Sequence, residues 1–128
     1  AHRIKWVQHL SDAELLRYYQ DALALLFPSL NEGFGLVVLE AMACGTPAIV
    51  GNNTAPSWVA GNSGLRVDAT EVDSIAAGIE RMVSEKAWRS QASAVGLQRA
   101  ATFTWEETAR KTVAAYKRVS EVYKAENS

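Results

Sequence analysis

Cysteine is nearly absent from this sequence, which has only Cys44 among its 128 residues. A single cysteine cannot form an internal disulfide, so we expect a reducing compartment and a cytoplasmic location. Cys44 lies within an apolar segment, where a small core residue is expected rather than a nucleophile or a metal ligand. The fold is therefore expected to depend on its hydrophobic core.

An excess of charge of either sign is also missing, because 13 basic and 14 acidic residues leave a net charge of −1. This balance gives no general attraction to nucleic acid or to an anionic membrane, and we expect no nucleic-acid partner. No apolar run is long enough to span a bilayer. With 48% apolar residues, the chain is expected to form one globular domain with a single core.

The most informative stretch is residues 31–47, where a turn with two glycines opens a short apolar segment. Gly33 and Gly35 lie in the turn, Glu40 is the one charged residue of the segment, and a glycine and a proline close it. This pattern predicts a short buried helix with defined ends. A carboxylate on an apolar helix is costly to bury without a partner, so a ligand or a cation is expected beside Glu40.

The spacing of these residues indicates the shape of a ligand. A helix that begins near Gly35 places Glu40 roughly 8 Å along the axis, at about 1.5 Å per residue. Glycines let the backbone N–H groups at a helix start approach an anion closely. A nucleotide fits this distance, with its phosphates on the helix start and its ribose hydroxyls on Glu40. Glu32, in the preceding loop, would reach toward the group that the phosphates carry, so the expected ligand is a nucleotide-sugar.

The same stretch resembles a known family. Pro-Ser-Leu-Asn-Glu-Gly-Phe-Gly at residues 28–35 is followed by Leu-Glu-Ala-Met-Ala-Cys-Gly at residues 39–45. Together they resemble the E-x7-E motif of the retaining GT-B glycosyltransferases, most closely the large family 4 group. The resemblance continues through later landmarks and so covers nearly the whole chain. These landmarks lie at residues 51–53, 61–65 and 102–105.

The resemblance implies a role for each part of the motif. It makes Glu40 the residue that binds the ribose and Glu32 the residue of the catalytic site that contacts the transferred hexose. The backbone of the glycine turn would hold phosphate or sugar oxygens. The implied reaction transfers a hexosyl group from the nucleotide-sugar to an acceptor. We expect no metal and no further cofactor, because the sequence shows no cluster of metal ligands and the amide-lined turn makes a metal less necessary. The expected binding residues are Gly33, Phe34, Gly35, Leu36 and Glu40.

The resemblance also implies parts that this sequence lacks. A full donor-binding domain begins with two more strands, whose loops carry an Arg and a Lys that neutralise the diphosphate, and an acceptor domain precedes it. We therefore expect a partial domain, truncated at its N-terminal side and inactive by itself. The missing strands leave a sheet edge open, which predicts a homodimer through that edge or a rearranged sheet. Membrane association of the whole enzyme stays open.

Two positions depart from the family pattern. The family usually has a glycine in the stretch that corresponds to residues 6–9, so the preference for a nucleotide base is not carried over. It often has an acid directly after a proline, where this chain has Ser57 after Pro56. No role is carried over to Ser57 or to its neighbour Trp58.

The order of elements predicts an α/β fold with a Rossmann-like, three-layer parallel sheet of about four strands, flanking helices and a helical C-terminus. The resemblance implies that this is a partial GT-B domain. Short apolar runs that end at turn residues predict buried strands. Apolar positions at helical spacing predict helices.

The expected strands cover residues 4–7, 22–27, 47–50 and 64–67, with a turn-rich loop at 51–56. The expected helices cover residues 12–20, a short segment from 35, 72–84, 86–99 and the residues after 104. One domain is expected over residues 1–128, with strands and helices alternating over about 4–84 and C-terminal helices over about 86–124.

Two capping boxes mark expected helix starts, one formed by Ser11 with Glu14 and one by Thr104 with Glu107. The second opens a long helix, and the apolar spacing that starts at Trp105 predicts that this side chain packs in the core rather than serving as a stacking platform.

Other functions stay open beside the glycosyltransferase. The main alternative is a non-catalytic module that binds a nucleotide or oligomerises, or a folding fragment without activity of its own. A nucleotide-sugar epimerase of related fold is a third alternative that fits the motif less closely. His9 follows the first predicted strand, where an ordinary surface histidine is expected rather than a catalytic base.

Overall fold

The computed structural model describes residues 3–127 and confirms an α/β fold built on a parallel sheet. The strands are β1 Leu25–Phe27, β2 Ala48–Gly51 and β3 Gly64–Val67. They pair in the order β1, β2, β3, and both pairings are parallel. The central strand aligns Ile49 with Leu26 on one side and with Leu65 on the other.

Helices flank this sheet and form the C-terminal part of the chain. They are α1 Asp12–Asp21, α2 Leu36–Ala43, α3 Ala55–Ala60, a 3-10 turn at Gly61–Ser63, α4 Val72–Ser84, α5 Lys86–Ala100 and α6 Trp105–Glu126. Among the helices described within residues 3–127, none combines the length and the apolar character needed to cross a membrane.

The core is divided between the two faces of β2, all four residues of which are buried. Alternate side chains of a strand point to opposite faces, and β2 follows this rule. Ala48 and Val50 pack with buried residues of α2, α3 and α5. Ile49 packs on the other face with residues of β3 and with Met82 of α4. Three layers result, with α2 and α4 on opposite sides of the sheet.

The predicted strand at residues 4–7 is wrong. This segment has no regular secondary structure, and Ile4 is 93% exposed. An extended segment becomes a strand only where a neighbouring strand accepts and donates its hydrogen bonds, and β1 pairs only with β2 in the part of the chain that the structure describes. The sheet therefore has three strands rather than about four, and among the described residues β1 and β3 are its two edge strands.

The region after β2 contains a helix that the sequence patterns did not predict. Residues 51–56 were expected to form a loop, but α3 begins at Ala55. Thr54 and Ser57 form a reciprocal capping box, with N···O distances of 3.3 and 3.2 Å. Pro56 is compatible with this start, because the first turn of a helix makes no use of its N–H groups. Ser57 thus occupies the capping position where the resembled family often has an acid.

The capping box at α1 is confirmed and the one at α6 is half formed. The backbone N–H of Glu14 donates to Ser11 Oγ over 3.4 Å, and Glu14 Oε2 accepts from the Ser11 N–H over 2.9 Å. At α6, Glu107 donates its N–H to Thr104 Oγ1 over 3.1 Å. The carboxylate of Glu107 does not return a bond, because it accepts from Arg110 instead.

The long helix α6 lies apart from the core. None of its residues is buried, and Trp105 is 83% exposed, so the prediction that Trp105 packs inward is wrong. The apolar spacing of α6 is real, but α2 and α3 on one face of the sheet and α4 on the other already cover the residues that such a stripe would contact. Its helical state therefore depends on contacts along the helix itself.

The start of α6 should respond to acid. Hydrogen bonds from Arg110, with a further contribution from Lys111, lower the pKa of Glu107 from 4.5 to about 2. Because the pKa is lowered, the pair stabilises the helix start above pH 4.5, and this stabilisation is lost as the pH falls toward 2. We expect the NMR signal of the Glu107 carboxyl carbon to titrate with a midpoint near 2. In Arg110→Gln the midpoint should rise toward 4.5, and equal midpoints in the two proteins would contradict the assignment.

Candidate functional site

The candidate site lies where β1 ends. Pro28 follows the strand, and residues 28–35 form the loop that leads into α2. The carboxyl ends of parallel strands meet at one edge of a sheet, and ligands of open α/β sheets bind at that edge. Glu32 and the glycine turn both lie in this loop, so the structure places the sequence motif where the topology predicts a ligand.

Gly35 gives the loop its shape. It is the N-cap of α2 with φ 99° and ψ 52°, a left-handed conformation that side chains disfavour. A Cβ at this position would lie 2.9 to 3.1 Å from atoms of Pro56, which is buried in the first turn of α3. No side chain caps α2. The N–H groups of Val38 and Leu39 donate to the Gly35 carbonyl oxygen, which leaves those at the very start of α2 available to an anion.

Gly33 differs from Gly35 in its surroundings. A Cβ added to Gly33 would meet no atom within 4 Å. Glycine is therefore not required at this position by the packing of the chain. Its small size keeps the outer side of the turn open, which gives a ligand room to reach the backbone.

Phe34 lies between the two glycines, and its side chain packs in an aromatic cluster with Trp58 and Phe103. The ring centroids are 5.8 to 6.4 Å apart and all three pairs meet edge to face, a geometry that aromatic rings favour. This cluster anchors the glycine turn to α3 and to the segment before α6. The binding role predicted for Phe34 stays a prediction.

Arg99 of α5 holds the aromatic cluster together. Its guanidinium donates to the backbone oxygens of Val59 and Trp58, each over 2.6 Å. It also lies 5.7 Å from the ring centroid of Trp58 and 5.4 Å from that of Phe103, within cation–π range. Carbonyls in the last turn of α3 favour such a cation. Sequence reasoning missed Arg99, and its position in the last turn of a predicted helix was the only available signal.

Glu32 lies on the surface beside the turn. Its carboxylate is exposed, and Ser29 Oγ donates to Oε1 over 3.4 Å. This is a long hydrogen bond that costs little to break. The carboxylate is therefore free to contact a group bound beyond the glycine turn.

Glu40 is exposed, so the expectation that it is buried is wrong. The apolar residues of α2 cover the sheet, whereas Glu40 faces α1. Within residues 3–127 the side chain that contacts it is Tyr19 rather than a cation, and the Tyr19 hydroxyl donates to Glu40 Oε2 over 2.9 Å. Burial, followed by the hydrogen bond and charge of Glu40, raises the pKa of Tyr19 well above its usual range, so the hydroxyl keeps its proton.

Leu36 and Glu40 lie on one helix behind the turn. Leu36 is the first residue of α2, half of its surface is exposed, and Glu40 follows about 6 Å further along the axis, at about 1.5 Å per residue. The structure thus brings all the predicted site residues onto one continuous loop and helix. Glu32 lies in the loop and Glu40 in the second turn of the helix.

A polar cavity of about 310 Å³ opens at the same edge of the sheet. Residues that follow each of the three strands line it, at positions 29–30, 52–54 and 68–70. The cavity adjoins the beginning of the Glu32 loop. It offers polar surroundings for a group larger than a phosphate.

Cys44 lies just past the end of α2 and is half-buried. Burial, together with the nearby charge of Glu40, raises the pKa of its thiol. A raised pKa disfavours the thiolate, which is the reactive form. Within residues 3–127, no three side chains of His, Cys, Asp or Glu come together as metal ligands.

A known protein family and several known proteins match most of the chain. The family model "Glycosyl transferases group 1" matches residues 1–99. O-antigen chain mannosyltransferase B of Escherichia coli is 40% identical over 114 residues, which are 89% of this chain and 30% of that protein. D-inositol 3-phosphate glycosyltransferase of Thermobifida fusca is 37% identical over 107 residues, or 82% of this chain and 25% of that protein.

A solved structure shares the fold. Sucrose-phosphate synthase from Thermosynechococcus elongatus superposes with a TM-score of 0.79 at 31% identity, over 94% of this chain and 31% of that one. The chain therefore spans between a quarter and a third of the length of these relatives.

Proposed function

Because the chain belongs to the group 1 glycosyl transferases, we propose that it is the donor-binding portion of a longer, retaining enzyme that transfers a hexosyl group from a nucleotide-sugar to an acceptor. The observation that carries the proposal is the uncapped start of α2, which offers backbone N–H groups to a diphosphate, with an exposed carboxylate at Glu40 on the same helix.

Each residue of the loop and helix has a part in this proposal. The backbone from Gly33 to Leu36 holds the diphosphate, and the helix start stabilises its negative charge as it leaves. Glu40 accepts hydrogen bonds from the ribose hydroxyls. Glu32 contacts the hexose, whose anomeric carbon gains positive charge in an oxocarbenium-like transition state. A nearby carboxylate favours that charge.

The rest of the longer protein would supply what this chain lacks. We propose that it provides the acceptor domain and covers the open edge of β1. A homodimer through that edge stays a prediction for the chain by itself. Membrane association of the whole enzyme, a cytoplasmic location and catalysis without a metal or a further cofactor also stay predictions.

An NMR titration of the chain with UDP, GDP and ADP tests the donor site. We expect one nucleotide to shift the amide signals of Gly33 to Leu36 and of Glu40. Half a site is expected to bind with a Kd of about 1 mM, equivalent to about 4 kcal/mol. The position of the shifts, rather than the affinity, is the decisive result.

Two variants sharpen this test. Glu40→Ala should weaken binding while the signals of the glycine turn still respond, because the diphosphate contacts remain. Glu106→Ala, at an exposed position on α6, should bind as the wild type does. Shifts that avoid residues 32–40, or silence with all three nucleotides, would instead favour a folding fragment or a module of another function.

A further inference from the structure

Tyr19 is the one side chain among residues 3–127 that holds the Glu40 carboxylate. The tyrosine comes from α1 and is only 9% exposed, whereas the carboxylate that it contacts is exposed. A buried donor therefore reaches out to a surface acid. Water could supply the hydrogen bonds that the Glu40 carboxylate accepts, so the contact with Tyr19 is not needed to compensate for burial of the carboxylate.

The backbone around Tyr19 is fixed from two sides. Its carbonyl oxygen accepts a hydrogen bond from the hydroxyl of Thr46, which is buried at the entrance to β2. The same carbonyl accepts from the N–H of Ala22, over 3.3 Å, where α1 ends. The phenol ring thus projects from a backbone that is bound to the element following α2, and its hydroxyl has a defined position relative to Glu40.

The hydrogen bond from Tyr19 occupies only one of the two carboxylate oxygens of Glu40. Tyr19 donates to Oε2, and no group within residues 3–127 donates to Oε1 of Glu40. A glutamate side chain has several rotatable bonds, and holding it still before a ligand arrives reduces the entropy lost on binding. A hydrogen bond to a carboxylate is stronger than one between neutral groups and is suited to this purpose.

We propose that Tyr19 is a positioning residue, which holds the Glu40 carboxylate in the orientation that accepts hydrogen bonds from the two vicinal hydroxyls of the donor's ribose. The inference rests on the proposed function, since it requires that Glu40 binds a ribose. It adds a residue from a separate helix, outside the loop and helix that carry the motif.

The test compares Tyr19→Phe with the wild type for two forms of the nucleoside diphosphate that binds in the titration, the ribose form and its 2′,3′-dideoxy form. The substitution keeps the ring and removes only the hydroxyl. We expect the Kd of the ribose form to rise roughly five- to tenfold. The Kd of the dideoxy form should stay within about twofold, because that ligand lacks the hydroxyls that Glu40 accepts from.

Tyr18→Phe is the matched control. Tyr18 precedes Tyr19 on α1, and its hydroxyl accepts from Lys5 Nζ over 3.1 Å at the surface. Its removal should change neither Kd. In the wild type, the ring Cζ signal of Tyr19 provides a measurement that needs no variant, and we expect it to shift with the ribose form and not with the dideoxy form.

The outcomes separate this inference from the proposed function. Equal weakening of both ligands by Tyr19→Phe would assign Tyr19 a structural role only and would overturn the inference. An unchanged Kd for the ribose form would overturn it as well. If the wild type itself binds both ligands equally, the ribose role of Glu40 fails, and the proposed function must be revised before Tyr19 is considered.

Discussion

Gly35→Ala is expected to destabilise the protein by about 3 kcal/mol. Two costs add at this position. A side chain in the left-handed conformation costs about 1–2 kcal/mol, and Gly35 has a φ of 99°. The new Cβ would also lie 2.9 Å from Pro56 Cγ and 3.1 Å from Pro56 Cα. Because Pro56 is buried and its ring is rigid, the glycine turn rather than the proline must move.

Urea denaturation of Gly35→Ala and of Gly33→Ala measures this difference. At Gly33 an added Cβ meets no atom within 4 Å, so the free energy of unfolding should change by less than about 0.5 kcal/mol. Nucleotide binding should weaken in both variants. In Gly35→Ala the turn itself is displaced, and in Gly33→Ala the added methyl group takes up space through which the nucleotide reaches the backbone. Equal stability of the two variants would show that the turn does not depend on its contact with Pro56.

Met82→Ala is expected to cost about 3 kcal/mol without touching the candidate site. Met82 of α4 is 2% exposed and packs against Ile49, Leu65 and Val67. Truncation leaves a cavity beneath a sheet of only three strands, where few other side chains can move in to fill it. A domain of this size has a total stability of about 5–15 kcal/mol, so the loss is a large part of it.

The neighbouring residue supplies the control for this variant. Val83 is 59% exposed, and Val83→Ala should change the free energy of unfolding by less than about 0.5 kcal/mol. Since α4 lies on the face of the sheet opposite α2, folded Met82→Ala should still bind nucleotide as the wild type does. A weakened Kd at a temperature where the variant is fully folded would contradict the separation of the two faces.

Features that depend on neighbours along the chain were predictable from the sequence. The capping box of Ser11 with Glu14 and the apolar period of α4 involve residues three or four apart, and both are present. The three strands next to glycine and proline were also identified, but β1 is shorter than predicted and is not buried on both faces, since Leu26 is 46% exposed. These signals are local, because turn geometry and helix period act over a few residues.

Features that depend on distant partners were not predictable. Residues 4–7 have the apolar pattern of a strand but lack a neighbouring strand, and Trp105 has the spacing of a core residue but lacks a surface to cover. A pattern shows what a segment is able to bury. It does not show whether another element lies beside it.

The candidate site also combines local features, which were predictable, with contacts between distant residues, which were not. The glycine turn and the two glutamates lie within nine consecutive residues, so the motif was recognisable in the sequence. The contact of Tyr19 with Glu40 joins residues 21 positions apart, and that of Arg99 with Val59 joins residues 40 apart. Such contacts arise only when α1 and α5 reach their places in the fold.

The exposure of α6 has a consequence for cooperativity. A helix with no buried residue is not coupled to the core, and a lone helix unfolds gradually with temperature rather than in one transition. Its 22 residues would therefore exchange their amide protons with solvent much faster than those of β2. The unfolding transition recorded by far-ultraviolet circular dichroism would be broad, because this signal sums all helices and includes the gradual unfolding of α6. Trp88 packs on the core with Met82, so in a variant whose other three tryptophans are replaced by phenylalanine its fluorescence would follow the cooperative unit alone.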